Sequence, residues 1–145
     1  MENKKIAEQI NKTIEDIWML MEKSERKITD FGLNNQQHVM LSLIIRHPFP
    51  SPTELAEKME ITKSAVSQQL KKLERDGYIK KIQDAHDKRV FSIGLGEKGI
   101  IYKKELDTFN EQILKEYTSK LSFEELSNML SSFQKFQELL EQIKH

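Results

Sequence analysis

Apolar residues recur along this chain at steps of three and four, except in one stretch where they alternate. Ile6, Ile10, Ile14, Ile17/Trp18 and Met21 mark a single stripe with polar flanks over residues 4–28, which predicts a long amphipathic helix. Phe31-Gly32-Leu33 interrupts it. Asn34 and Gln37 have the spacing of a capping box, and Val39, Met40, Leu43 and Ile44 form the next helical face. His47-Pro48-Phe49-Pro50 ends that helix, because proline lacks an N–H and pushes its predecessor away from helical angles.

Ser51-Pro52-Thr53-Glu54 opens a short third helix: a serine cap, proline at the first helical position and glutamate three residues after the cap. Thr62 caps a fourth, with Ile61 and Val66 placed as a hydrophobic staple, and Asp76-Gly77 stops it. Tyr78 to Ile82 and Val90 to Leu95 read as two strands, and Gln83 to Arg89 as the polar tip of their hairpin. Beyond Gly99 the helical period returns. Tyr102, Leu106, Phe109, Ile113 and Tyr117 make one stripe. Leu126, Met129/Leu130, Phe133, Phe136, Leu140 and Ile143 make another, behind a capping box at Ser122 and Glu125. The expected fold is mainly α with a small β-hairpin. Its long terminal helices need each other, and a second copy of the chain, to cover their stripes.

Composition narrows the chemistry. The chain has no cysteine, which excludes disulfides, thiol nucleophiles, thiol-based redox sensing and cysteine-type zinc sites. His38, His47, His86 and His145 are dispersed without metal-ligand spacing, and there is no glycine-rich phosphate loop, so neither a metal nor a cofactor is expected. Asp84, His86 and Asp87 lie together on a loop tip without a nucleophile, and catalysis is not expected. No apolar run approaches the ~18 residues of a membrane span, and the N-terminus lacks the apolar core of a signal peptide. A soluble, cytoplasmic protein is expected. Lysine plus arginine and aspartate plus glutamate both number 23, yet residues 63–89 hold eight bases against four acids. The positive field is local, which suggests a localised anionic partner.

Two short helices joined by Glu60-Ile61-Thr62, followed by a hairpin, have the spacing of a winged helix-turn-helix. At 100° per residue Val66, Leu70 and Leu73 share one side of the second helix. Ser64, Gln68, Lys71 and Arg75 lie near the opposite side, flanked by Ser67 and Lys72. Short hydroxyls, an amide and cations are the mixture that a major-groove helix needs for base edges and phosphates.

Three runs in this region, Glu54-Leu55-Ala56-Glu57-Lys58-Met59, Ser64-Ala65-Val66-Ser67 and Leu73-Glu74-Arg75-Asp76-Gly77-Tyr78-Ile79, resemble the MarR family of bacterial transcription regulators. Asp87-Lys88-Arg89 and Leu95-Gly96-Glu97-Lys98-Gly99 resemble that family's wing and its exit into the next helix. The resemblance runs from about Ile6 to the C-terminus. It implies an obligate homodimer that regulates transcription, as a repressor, from a pseudo-palindromic operator in double-stranded DNA. Residues 1–33 and 97–145 would be dimerisation helices, and 34–96 the DNA-binding lobe. Thr62, Ser64, Ser67, Gln68, Lys71, Lys72 and Arg75 would serve the reading helix. Asp87, Lys88 and Arg89 would serve the wing, with Arg89 in the minor groove and Asp87 holding it in shape.

Two positions depart from the family pattern. His86 stands where the wing often has a first arginine, and reads as an exposed turn histidine. Gly96 stands where a serine or threonine usually caps the following helix, so that helix is expected to fray. The resemblance also implies a small aromatic or phenolic effector between the dimerisation helices and the DNA lobe. Trp18 and His38 are the candidates for it, although by its place on the apolar stripe Trp18 reads as core packing. The rival to DNA binding is a winged-helix adaptor for protein contacts, which would show little binding to bulk DNA at low salt.

Overall fold

The computed structural model describes residues 1–28 and 31–143; His145 lies outside them. The described elements are α1 (Glu2–Ile28), α2 (Asn35–Arg46), α3 (Pro52–Met59), α4 (Lys63–Arg75), β1 (Ile79–Gln83), β2 (Phe91–Leu95), α5 (Glu97–Lys120) and α6 (Phe123–Gln142). The strands pair antiparallel, from Ile79 opposite Leu95 to Gln83 opposite Phe91. The fold is the expected mainly α one with a hairpin wing. No helix of the described residues is long and apolar enough to cross a membrane.

The chain forms two compact units, Met1–Asp107 and Thr108–His145. The first holds the core. Met40, Leu41 and Ile44 of α2 meet Leu55 and Ala56 of α3, Val66, Leu70 and Leu73 of α4, Tyr78, Ile79 and Ile93 of the hairpin, and Tyr102 of α5. In the second unit, α6 buries no residue. The α1 stripe is likewise open on the single chain, with Trp18 67% exposed, and so is much of α6, with Phe133 at 49%. Trp18 therefore does not pack into the core of its own chain.

Local chemistry sets the helix ends. Asn34 Oδ1 accepts the Gln37 amide at 2.8 Å while Gln37 Oε1 accepts the Asn34 amide at 3.0 Å, so the capping box is complete. Ser51 and Thr62 cap α3 and α4, each accepting an amide at 3.1 Å. Both of these helices end in the same way. After α3, Glu60 takes the left-handed conformation at φ 53°, with its amide on Glu57 O and the Ile61 amide on Ala56 O. After α4, Gly77 does so at φ 84°, with its amide on Glu74 O and the Tyr78 amide on Leu73 O. That last bond explains why β1 begins one residue later than the apolar pattern suggests. Val90 likewise spends its amide on Asp87 O inside the tip.

The fraying expected at Gly96 is not seen. The Lys98 amide donates to Gly77 O at 3.0 Å, so the start of α5 is satisfied by a backbone carbonyl from the preceding turn rather than by a side chain. This approach is close. A Cβ at Gly96 would meet Gly77 O, and one at Gly99 would meet Tyr78 O.

Two substitutions should therefore act against ordinary helix propensity and turn tolerance in opposite directions. Glu60→Gly should raise stability by roughly 0.5–1 kcal/mol, because only glycine adopts the left-handed region without a Cβ penalty. Gly99→Ala, which propensity alone would favour by about 1 kcal/mol, should instead destabilise by more than ~1 kcal/mol. Denaturant titration at one fixed protein concentration reads both; a stabilising Gly99→Ala would contradict the close approach.

Candidate nucleic-acid interface

Burial of Val66, Leu70 and Leu73 turns the opposite side of α4 outward. Ser64, Ser67, Gln68, Lys71, Lys72 and Arg75 are all exposed, as is Thr62 at the cap. Thr62 has already committed its oxygen to the Ala65 amide, so outward it can offer only its hydroxyl hydrogen and a remaining lone pair. Arg75 Nε lies 3.4 Å from Asp76 Oδ1, with both side chains well exposed, and such a surface pair holds the guanidinium only weakly. The face thus presents short hydroxyls and an amide towards its N-terminal half and cations towards its C-terminal half.

Gln69, absent from the sequence-predicted site residues, behaves differently. It is half-buried, and its Nε2 donates to Gln36 Oε1 of α2 at 2.7 Å. A signal for this exists in the sequence: at 100° per residue Gln69 falls about 40° from Leu73, on the inward side.

The wing tip is ordered by its own carboxylates. Asp84 Oδ1 accepts the His86 amide at 2.9 Å, and Asp87 Oδ1 accepts the Arg89 amide at 3.0 Å. The Arg89 guanidinium returns to the same carboxylate, Nε to Oδ1 at 3.2 Å and Nη2 to Oδ2 at 3.4 Å. Its side chain is nevertheless 90% exposed, so it is oriented without being covered. Lys88 and His86 are exposed. Along the strands of the wing, Lys81 Nζ sits 4.8 Å from the centre of the Phe91 ring, a cation–π contact.

The two candidate effector residues do come together. Trp18, Glu22 and Glu25 of α1 and Asn35, His38, Val39, Ser42, Leu43 and Arg46 of α2 line a groove of about 460 Å³. His38 is half-buried, with Nδ1 2.7 Å from the Tyr102 hydroxyl. Tyr102 in turn packs against Phe31, centroid to centroid 5.6 Å. The Phe31 carbonyl accepts the Tyr78 hydroxyl at 3.2 Å. Burial raises the pKa of that hydroxyl above the usual tyrosine value, and Asp76 adds to the shift.

Comparison with known proteins agrees with this geometry. Residues 31–90 match the profile of the MarR family. Over 98 residues the chain is 28% identical to the HTH-type transcriptional regulator PapX of Escherichia coli, across 66% of this chain and 59% of that one. Over 95 residues it is 30% identical to the HTH-type transcriptional repressor MdtR of Bacillus subtilis, across 66% and 61% respectively. The match thus spans about three fifths of the length of these curated relatives. In three dimensions it is similar to FabT of Streptococcus pneumoniae, solved in complex with DNA. That similarity has a TM-score of 0.76 at 21% identity, over 97% of this chain and 99% of that one, and shows the shared fold.

The wing geometry makes its own prediction. The Asp87 carboxyl titrates below the ordinary aspartate range, first because of the Arg89 backbone amide and second because of the guanidinium. A lowered pKa means that the interaction is fully present above the usual aspartate value and disappears as pH falls through the lowered one. Carboxyl-carbon NMR should place the Asp87 midpoint below that of a free aspartate. Arg89→Ala should shrink the depression without abolishing it, since the residue 89 amide still donates. An unshifted Asp87 in the intact chain would contradict the ordered tip.

Proposed function

This chain is a MarR-family winged helix-turn-helix protein, and from that premise we propose that it is a sequence-specific, double-stranded-DNA-binding transcription regulator, a repressor acting as a homodimer in the cytoplasm. The observation that carries this reading is the outward polar and cationic face of α4, held beside an exposed, carboxylate-oriented Arg89. Ser64, Ser67 and Gln68 reach base edges in the major groove, while Lys71, Lys72, Arg75 and the Thr62 hydroxyl hold phosphates. Arg89 enters the minor groove, where a narrow stretch concentrates negative potential, and Lys88 supports it from the backbone. The curated relatives named as transcriptional regulators and a repressor support this role, and so does the shared fold of the DNA-bound FabT.

Dimerisation falls to residues 1–33 and 97–145. The stripes Ile10–Ile17–Trp18 and Phe133–Leu140 are exposed on one chain, and a two-fold partner offers the matching apolar faces.

The groove at Trp18 and His38 takes a small aromatic effector. Two carboxylates, Glu22 and Glu25, line it with one guanidinium, Arg46. Trp18 is the single tryptophan of the chain, so at a fixed protein concentration its emission reports changes at the groove it lines. Titration with salicylate should perturb that emission saturably; emission unchanged by the titration would contradict an aromatic-effector groove at Trp18.

Binding-site selection tests the function itself. The intact chain should enrich one pseudo-palindromic sequence. Gln68→Ala should relax one position in each half-site, at about 1–3 kcal/mol for each bidentate amide–base pair removed, whereas Lys71→Ala should weaken all sequences alike. Arg89→Ala should lower the salt slope by up to roughly one unit per wing, because one phosphate-attracted cation is gone. Asp87→Ala should weaken binding with the slope kept, since the cation remains without its orienting partner. No binding to bulk DNA at low salt would point instead to a protein-contact adaptor. Tighter binding by Asp87→Ala would remove its orienting role.

A further inference from the structure

Gln69 adjoins the reading residue Gln68 in sequence and faces the other way. One end of its amide is engaged: Nε2 donates to Gln36 Oε1 at 2.7 Å. The other end is not: Oε1 is closed off from solvent and meets no donor among the described residues. A buried acceptor without a partner is a net cost, and an apolar side chain of similar shape would avoid it.

Its partner has a defined place. Gln36 is the second residue of α2, inside the reciprocal cap formed by Asn34 and Gln37, so the start of that helix is fixed on both sides of it. The remaining packing of α4 on α2 is apolar, with Val66, Leu70 and Leu73 in one core with Met40, Leu41 and Ile44. Apolar packing is non-directional and tolerates small rotations of a helix about its axis. A hydrogen bond between two amides is directional, and misalignment weakens it steeply. Of the interactions described between these two helices, the amide pair is the one that can specify how far α4 is rotated, and so where Ser64, Ser67 and Gln68 point.

We propose that Gln69 is a positioning residue for DNA recognition, holding α4 in its reading orientation through the hydrogen bond to Gln36. This rests on the reading of α4 as the major-groove helix. α2 also walls the Trp18–His38 groove, so the same bond joins that wall to the reading helix.

The test uses the full-length chain and its selected operator, with Gln69→Leu, Gln36→Leu, the double variant and Gln36→Glu. Gln69→Leu removes the unsatisfied acceptor but also the donor to Gln36 Oε1, so its Tm should stay close to that of the wild type. Its operator affinity should nevertheless fall roughly three- to tenfold, the worth of one neutral hydrogen bond. The salt slope should stay unchanged because every cation is retained, and the same consensus should be selected with weaker discrimination, because every base-reading side chain is retained but less firmly aimed. The double variant should bind no more weakly than Gln69→Leu, as expected for two residues acting as one unit. Gln36→Glu keeps an acceptor for Gln69 Nε2 in the first turn of a helix, where a carboxylate is favoured, and should hold affinity that Gln36→Leu forfeits. A merely structural role would move Tm and affinity together.

Three results would overturn the proposal: Gln69→Leu binding within twofold of wild type, a changed base preference that marks Gln69 as a direct reader, or Gln36→Glu as weak as Gln36→Leu. A wild-type chain that binds no duplex overturns the DNA reading, and the positioning role with it.

Discussion

Everything outward on this molecule depends on what α4 buries. Val66, Leu70 and Leu73 are at most 4% exposed, against Met40, Leu41 and Ile44 of α2 and the foot of the hairpin. Once those side chains leave water, helical geometry turns Ser64, Gln68 and Lys71 to the outer side of the helix. The same core receives Tyr78 and Ile79, which begin the wing, and Tyr102, which anchors α5. One burial event thus places the helix, the wing and the exit helix with respect to each other. Under the proposed function, substitution of an outward α4 residue can change recognition without unfolding the lobe, whereas substitution of a core residue cannot be interpreted in terms of recognition at all.

The turns that flank α4 protect this arrangement with backbone bonds rather than side chains. Each end of the α3–α4 pair closes on a left-handed residue, Glu60 before α4 and Gly77 after it. The carbonyls of Gly77 and Tyr78 are then used again, by the amides of Lys98 and Gly96. The turn after α4 therefore also serves as the cap of α5. In the proposed dimer, α5 leads on to the helices that join the copies, so the same turn lies at the junction between reading and assembly.

The elements legible in the sequence are those whose chemistry is local. Asn34/Gln37, Ser51-Pro52 and Ser122/Glu125 announce helix starts because cap and partner lie within four residues. The outer face of α4 is legible because a regular helix makes burial of every third or fourth residue predict exposure of the rest. Glu60 is not, since a left-handed stop is usually signalled by glycine or asparagine and here carries a carboxylate. The support for α5 at Gly96 is hidden because its donor–acceptor pair spans residues 77 to 98. Gln69 is hidden for a different reason: a polar residue on a basic helix suggests solvent, and only its angle to Leu73 hints otherwise. Trp18 sits on a correctly identified stripe, but a periodic stripe does not reveal whether its cover comes from the same chain. On this chain Trp18 is open, and with His38 it walls a groove.

The central claim is that two copies of this lobe present two α4 helices to one face of a duplex. Hydroxyl-radical footprinting of the intact protein on its selected operator tests it most directly. Two protected windows related by two-fold symmetry should appear, their centres ~34 Å apart or about one helical turn, with outer minor-groove protection that disappears in Arg89→Ala. A single protected window of one half-site, or protection spread evenly along any duplex offered, would contradict the account.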